Sequence, residues 1–288
     1  MINTILNNVN QIPLLPQNVQ QLMSIVNNPQ ASTLELVKIV EQDPMLAMQC
    51  LHLCNSAYYS LPVEVTSVSH AVRFLGMDTV AGLAMAAYFQ SLIPSRGSNQ
   101  GNPWLKGLKD HLLKTAYLSE VIAKAGGSIV APATLFTAGL LHDVGKLVFS
   151  KLDLKVAQHV YRHVGENKVT LIEAEQEILG TNHAMVGHQL AIRWQLPEVL
   201  MDVIRYHHDP FGGEYHQTFY VFLANTVVGI LHNDSALQES LNTPDVLSVS
   251  RELGFTTDQI TEWLNAWSNQ HKEKTSPPES LTKTTSSS

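Results

Sequence analysis

The stretch TLFTAGLLHDVGKLVF, residues 134–149, reads as an apolar helix that closes on a histidine and an aspartate side by side, His142 and Asp143. Gly145 then allows a sharp turn, and Lys146 opens the next segment. The doublet is chemically useful because a carboxylate can bridge two cations while the adjacent imidazole binds one. Two such ions, about 3.5–4 Å apart, generate hydroxide and clamp a phosphoryl group.

Outward from the doublet, further histidines fall on apolar faces. Upstream, Trp104, Leu108, His111, Thr115, Leu118 and Ile122 share one stripe of a predicted helix, which points His111 into the interior. Downstream, Asn182-His183 opens a helix whose Val186, Leu190 and Trp194 lie on the His183 face. Leu200, Val203, Ile204 and His207 turn another histidine inward, with His208 beside it. Any one of these alone reads as a hydrogen-bonded core residue. Together, from separate helices and with a carboxylate, they would leave many buried nitrogens to satisfy. A metal ion satisfies several at once, as imidazoles and carboxylates do inside helical bundles.

Helical periodicity extends over nearly the whole chain. Val19, Leu22, Met23 and Val26 mark one helix ending before Pro29. Ser32-Thr33-Leu34-Glu35 has the form of a capping box for a second, with Val37 and Val40 inward, and Asp43-Pro44 supplies N-cap and N1 proline for a third through Leu46, Cys50 and Leu53. A shorter helix from Ser67 ends at Gly76, and Asp78 can cap the next, to about Leu92. The Gly-, Ser-, Asn- and Pro-rich run from Pro94 to Pro103 is the clearest punctuation. It divides an N-terminal helical sub-domain, 1–95, from a second, 96–235, that carries the His/Asp residues. C-terminal helices follow over 236–268, near 244–253 and 258–268, the latter with Ile260, Trp263, Leu264 and Trp267 on one face. Residues 269–288 lack apolar periodicity and are expected to be disordered. The predicted fold class is all-α.

Composition narrows the function. Of 288 residues, 44% are hydrophobic, enough for a large core of one domain or two packed ones. A net charge of −7 argues against wrapping nucleic acid, which needs a basic face. A helix–turn–helix reading of residues 68–83 fails similarly, since Asp78 to Ala87 holds no Lys or Arg. With only Cys50 and Cys54, a disulfide scaffold and a four-thiolate zinc site are excluded, and both read as reduced core thiols. No signal peptide or membrane span is evident, so a cytoplasmic location is expected.

The order His111 … His142-Asp143 … His183 … His207-His208 resembles the HD superfamily of metal-dependent phosphohydrolases. Leu15-Pro16, Asp43-Pro44, Asn55-Ser56-Ala57-Tyr58-Tyr59, Leu75-Gly76, Leu179-Gly180, Trp194 with Leu196-Pro197, and the double histidine narrow the resemblance to its HDOD branch, over roughly residues 10–235. The resemblance implies an N-terminal helical bundle packed on an HD-like bundle. It also implies a divalent transition metal (iron, manganese, nickel or zinc), as one or two ions held among His111, His142, Asp143, His183, His207 and His208. HDOD domains are regarded as regulatory modules in bacterial signalling, and many lack the doublet that this chain keeps. Where an HD enzyme carries its last metal-binding aspartate this chain has Asn225, a neutral ligand that weakens a two-metal centre. Lys146 sits where related enzymes place a phosphate-contacting lysine. The run from His207 to Tyr215 echoes the cyclic-di-GMP phosphodiesterase signature but lacks its Gly-Tyr-Pro ending, so that substrate is not predicted.

Two functions follow. In the favoured one the chain is a regulatory signalling protein whose site holds a metal or ligand and whose output is contact with a partner protein. In the other it is a metal-dependent phosphohydrolase acting on a nucleotide or other phosphoester, with Asp143 at the reacting centre and Lys146 steadying developing charge. Neither involves nucleic acid or a membrane as partner.

Overall fold

Short polar residues ahead of apolar periods cap six of the helix starts. The structure, a computed structural model, describes residues 1–26, 28, 30–56, 58–59, 61–93, 101–125, 131–233 and 241–262. In chain order it places α1 (Ile2–Gln11), α2 (Gln17–Ile25), α3 (Thr33–Glu41), α4 (Pro44–Cys54), α5 (Val68–Leu75), α6 (Met77–Leu92), α7 (Leu108–Ala125) and α8 (Pro132–Leu141). Then come α9 (Gly145–Phe149), α10 (Leu154–Asn167), α11 (Leu171–Leu179), α12 (His183–Arg193), α13 (Glu198–Tyr206), α14 (Gln217–Asn233) and α15 (Pro244–Glu252). No strand forms among the described residues, and the fold is all-α. Among those residues, no helix is long and apolar enough to cross a membrane.

Side-chain caps explain where several of the helices begin. Ser32 accepts from the Glu35 amide, Asp43 from the Met45 and Leu46 amides, and Ser67 from the His70 amide. A reciprocal capping box forms at Thr170 and Glu173. Two expectations need correction. Gly76, at φ +82°, both ends α5 and precedes α6, so Asp78 lies in the first turn of α6 and faces the helix dipole instead of capping it. Trp104 matches the periodicity of α7 but precedes that helix, in a run of turns ending at Gly107 with φ +71°.

Helix α6 is buried along Val80, Ala81, Leu83, Ala84, Met85, Ala86, Ala87 and Phe89, which leaves no face for reading DNA. Helix α8 is equally enclosed, from Ala133 to Leu141. One apolar cluster joins Ile5 of α1, Leu22 of α2 and Leu83 of α6 to Leu140 of α8, Leu190 of α12 and Ile204 of α13, so the core is continuous across position 95. A second joins α7, α8 and α14 to Val246 and Val249 of α15 and to Ile260. Cys50 and Cys54 are buried free thiols. Helix α1 packs on α9 and α12 of the later part of the chain. There the Arg193 guanidinium donates to the carbonyls of Ile12 and Asn10, and the Trp194 indole donates to that of Pro13 at 2.8 Å. Residues 257–262 are helical. The rest of the predicted 258–268 helix, the 94–100 part of the proposed boundary and the predicted disordered tail lie outside the described residues.

Candidate metal centre

Close backbone packing gathers the histidine-bearing helices. An added Cβ on Gly139 of α8 would lie 2.8 Å from the Ala116 Cα of α7. One on Gly145, at the start of α9, would lie 1.9 Å from the His183 carbonyl oxygen and 2.7 Å from the Gly187 nitrogen of α12. Gly145 does not have a positive φ. Its glycine serves close approach and not the turn expected from the sequence. Both contacts require residues without side chains, and they bring His111, the 142–143 doublet and His183 to one place.

Asp143 lies at the middle. Its Oδ2 is 3.2 Å from His111 Nε2, 3.4 Å from His142 Nε2 and 2.5 Å from Lys146 Nζ. Its Oδ1 is 3.1 Å from His183 Nε2 and 3.6 Å from His207 Nε2. His183 Nε2 in turn lies 3.0 Å from His208 Nε2. Two groups of potential metal ligands result, one of Asp143, His183, His207 and His208, the other of His111, His142 and Asp143. Asp143, His142, His183 and His207 are buried, whereas His208 is exposed at the rim.

The ring nitrogens are presented as ligands. His142 Nδ1 donates to the Gly139 carbonyl at 2.7 Å, and His207 Nδ1 to that of Ile204 at 2.9 Å. In a neutral imidazole this leaves a bare lone pair on Nε2, facing Asp143. Asp143 Oδ1 and His207 Nε2 are buried and form no hydrogen bond. Buried polar atoms normally find a partner, and a cation would serve both here. The donor set of imidazoles and one carboxylate suits a divalent transition metal.

Charge states fit that environment. Burial alone would raise the Asp143 carboxyl, but the Lys146 ammonium beside it holds it well below the usual carboxylate range. Burial lowers His207 to about 3. Burial also opposes a charged His183, yet the carboxylates of Glu175 and Asp143 overcome it and raise it to about 9. A metal ion must therefore displace a proton from His183, and binding should release protons. The metal-free chain is expected to be most stable near pH 6.5. From pH 3 to 6.5 the unfolded state holds a proton that native His207 does not, so stability rises with pH. From 6.5 to 9 native His183 holds a proton that the unfolded state has lost, so stability falls. Each group can add up to about 1.4 kcal/mol per pH unit to its limb, and His208 and His111, both lowered by desolvation, steepen the acid one. Urea unfolding in chelator across this range checks the shape, and a flat profile above pH 6.5 would remove the charged His183.

These motifs have a family. A model of the HDOD domain matches residues 12–210. The chain belongs to the HDOD family. It is similar to a solved HDOD domain protein of unknown function from Geobacter sulfurreducens, at 27% identity and TM-score 0.74, over 92% of this chain and 95% of that one. It is also similar in fold to a protein of Shewanella amazonensis SB2B provisionally called a phosphohydrolase, at 23% identity and TM-score 0.70, over 94% and 96% of the two chains. A third similar fold is a provisionally named signal transduction protein of Marinobacter aquaeolei VT8, at 24% identity and TM-score 0.70, over 92% of this chain and 58% of that one. An uncharacterized protein of Treponema pallidum (strain Nichols) is 24% identical over 239 residues, 82% of this chain and 46% of that protein. The chain thus spans about half the length of that curated relative.

Of the residues singled out from the sequence of this HDOD protein, His111, His142, Asp143, Lys146, His183, His207 and His208 come together around one carboxylate. Asn225 is half-buried on α14, which packs against α7, α8 and α13. Sequence reasoning missed Glu175, which is fully buried on α11 with Oε2 2.6 Å from His183 Nδ1. A usable signal existed, because Leu171, Glu175 and Leu179 are spaced i, i+4, i+8 on one helix face.

Proposed function

We propose that this HDOD protein is a regulatory module of bacterial signal transduction that binds a divalent transition metal through Asp143, His183, His207 and His208 and acts by contact with a partner protein. One observation carries this reading: the two oxygens of Asp143 face unequal surroundings. Oδ1 faces His183 and His207, with His208 alongside, whereas Oδ2 faces two imidazoles and already holds the Lys146 ammonium at 2.5 Å. A fixed cation there opposes a second ion, and Asn225 adds no negative charge on α14. A bound metal would supply Lewis acidity and a fixed positive charge. The chain's own part is to orient its imidazoles and keep them largely from water.

A phosphohydrolase reading has its own support, since His208 and Lys146 are partly open to solvent beside Asp143, within reach of a phosphoester. The two readings separate on metal stoichiometry and turnover. The regulatory reading expects about one ion per chain and no hydrolysis of p-nitrophenyl phosphate or its diester. Turnover that disappears when His142 and Asp143 are both replaced by Ala would establish the enzyme instead. Asn225→Asp is expected to tighten metal binding by about tenfold, by restoring a charged oxygen. Unchanged affinity in a metal titration would place Asn225 outside the centre.

A further inference from the structure

We propose that Glu175 is a positioning residue of the metal centre, holding His183 so that Nε2 faces Asp143 and His208, and that Trp104 anchors the far oxygen of the same carboxylate. The proposal rests on the metal-binding reading above. Glu175 accepts from three donors and is buried from solvent: the Trp104 indole at Oε1, 2.9 Å, and the His183 backbone amide and ring Nδ1 at Oε2, 2.8 and 2.6 Å. All three bonds run toward the carboxylate. The indole N–H can only donate, as can the backbone amide, and the ionised carboxylate can only accept. His183 therefore keeps its proton on Nδ1, which leaves Nε2 as the atom offered to a cation.

Trp104 is itself firmly held. Its ring packs 5.2 Å from that of Phe149 and 6.2 Å from that of Tyr161, and its backbone amide donates to Asn102 Oδ1. Asn102 also donates from Nδ2 to the Ser150 carbonyl. The carboxylate is thus fixed from the side away from the metal site, by a segment far from α11 in sequence. An amide of the same shape could not replace it. Glutamine offers one oxygen and one NH₂, so it can accept from Trp104 or from the His183 pair, but not from both.

That conflict gives a test with a direction. In a cobalt(II) titration of the full chain, followed by visible absorption, Glu175→Gln should weaken binding by about 10- to 100-fold. Trp104→Phe should leave it within about threefold, because a carboxylate presents an oxygen to His183 either way. The double variant Trp104→Phe/Glu175→Gln should bind more tightly than Glu175→Gln alone, because without the indole donor the amide oxygen is free to face His183. Circular dichroism and melting would establish that each variant is folded. Equal affinity of wild type and Glu175→Gln would overturn the proposal, as would a double variant no better than the single one. If wild type takes up no cobalt, the metal reading itself fails. The imidazole ¹⁵N shifts of His183 then judge the positioning separately, and they do so even if Glu175→Gln does not fold. In the neutral form of the ring, reached at alkaline pH, the wild-type chain is expected to carry the His183 proton on Nδ1 with Nε2 bare, and a bare Nδ1 would refute it.

Discussion

Asp143→Ala is expected to abolish metal binding, with a loss of more than about 100-fold. Outer partners of a metal ligand typically contribute 10- to 100-fold to affinity, and Asp143 is itself a proposed ligand. Its Oδ1 belongs to the His183, His207 and His208 group and its Oδ2 to the His111 and His142 group, so no second carboxylate can take over either role within these sets. Its replacement also removes the negative charge that offsets a divalent cation among buried imidazoles. His111→Ala should do less, since His111 touches only the Oδ2 side and is itself partly exposed. The chain should still fold in both cases: His111 is partly exposed, and Lys146, left without its carboxylate in Asp143→Ala, sits near enough to the surface to reach water. Metal content after dialysis, with circular dichroism as the folding control, decides the matter. Retention of affinity within about tenfold in Asp143→Ala would mean that the histidines bind metal without it, contrary to the shared-carboxylate geometry.

The sequence made much of this centre legible because its members are chemically unusual where they stand. A histidine on an apolar stripe is conspicuous, and four such positions with an adjacent aspartate are more so. The helix starts at Ser32, Asp43, Ser67 and Asn182 were also legible, since each depends on a side chain meeting an amide two or three residues away. What could not be read depended on distant parts of the chain. Trp104 satisfies the stripe of α7 by spacing alone, yet the turn at Gly107 detaches it and sends its indole to Glu175, 71 positions on. Glu175 was masked by Glu173 and Glu177 on the same short helix although its spacing with Leu171 and Leu179 marked the buried face, and its partner Trp104 could not be read locally. Lys146 could equally have been a solvated lysine at a helix start, and only the fold places its ammonium against Asp143.

Gly145 was legible as a glycine but not for its reason, and the expected consequence of replacing it is large. Gly145→Ala should destabilise the chain by about 4 kcal/mol or more, lowering its melting temperature by about 10 °C. The added methyl would lie 1.9 Å from the His183 carbonyl oxygen and 2.7 Å from the Gly187 nitrogen, both backbone atoms that cannot swing aside. Relief requires α9 and α12 to separate. Ordinary overpacking of a core costs about 1–3 kcal/mol because side chains can change rotamer, and this contact lacks that escape. The same separation would carry His183 away from Asp143, so metal affinity should fall with stability. Gly165→Ala supplies the contrast. That glycine lies exposed in α10 with nothing near its added Cβ, and the substitution should stabilise by about 0.5–1 kcal/mol through helix propensity. If thermal and urea unfolding find Gly145→Ala as stable as wild type, α9 and α12 do not pack this closely, and the geometry that joins His183 to the His142-Asp143 doublet fails with it.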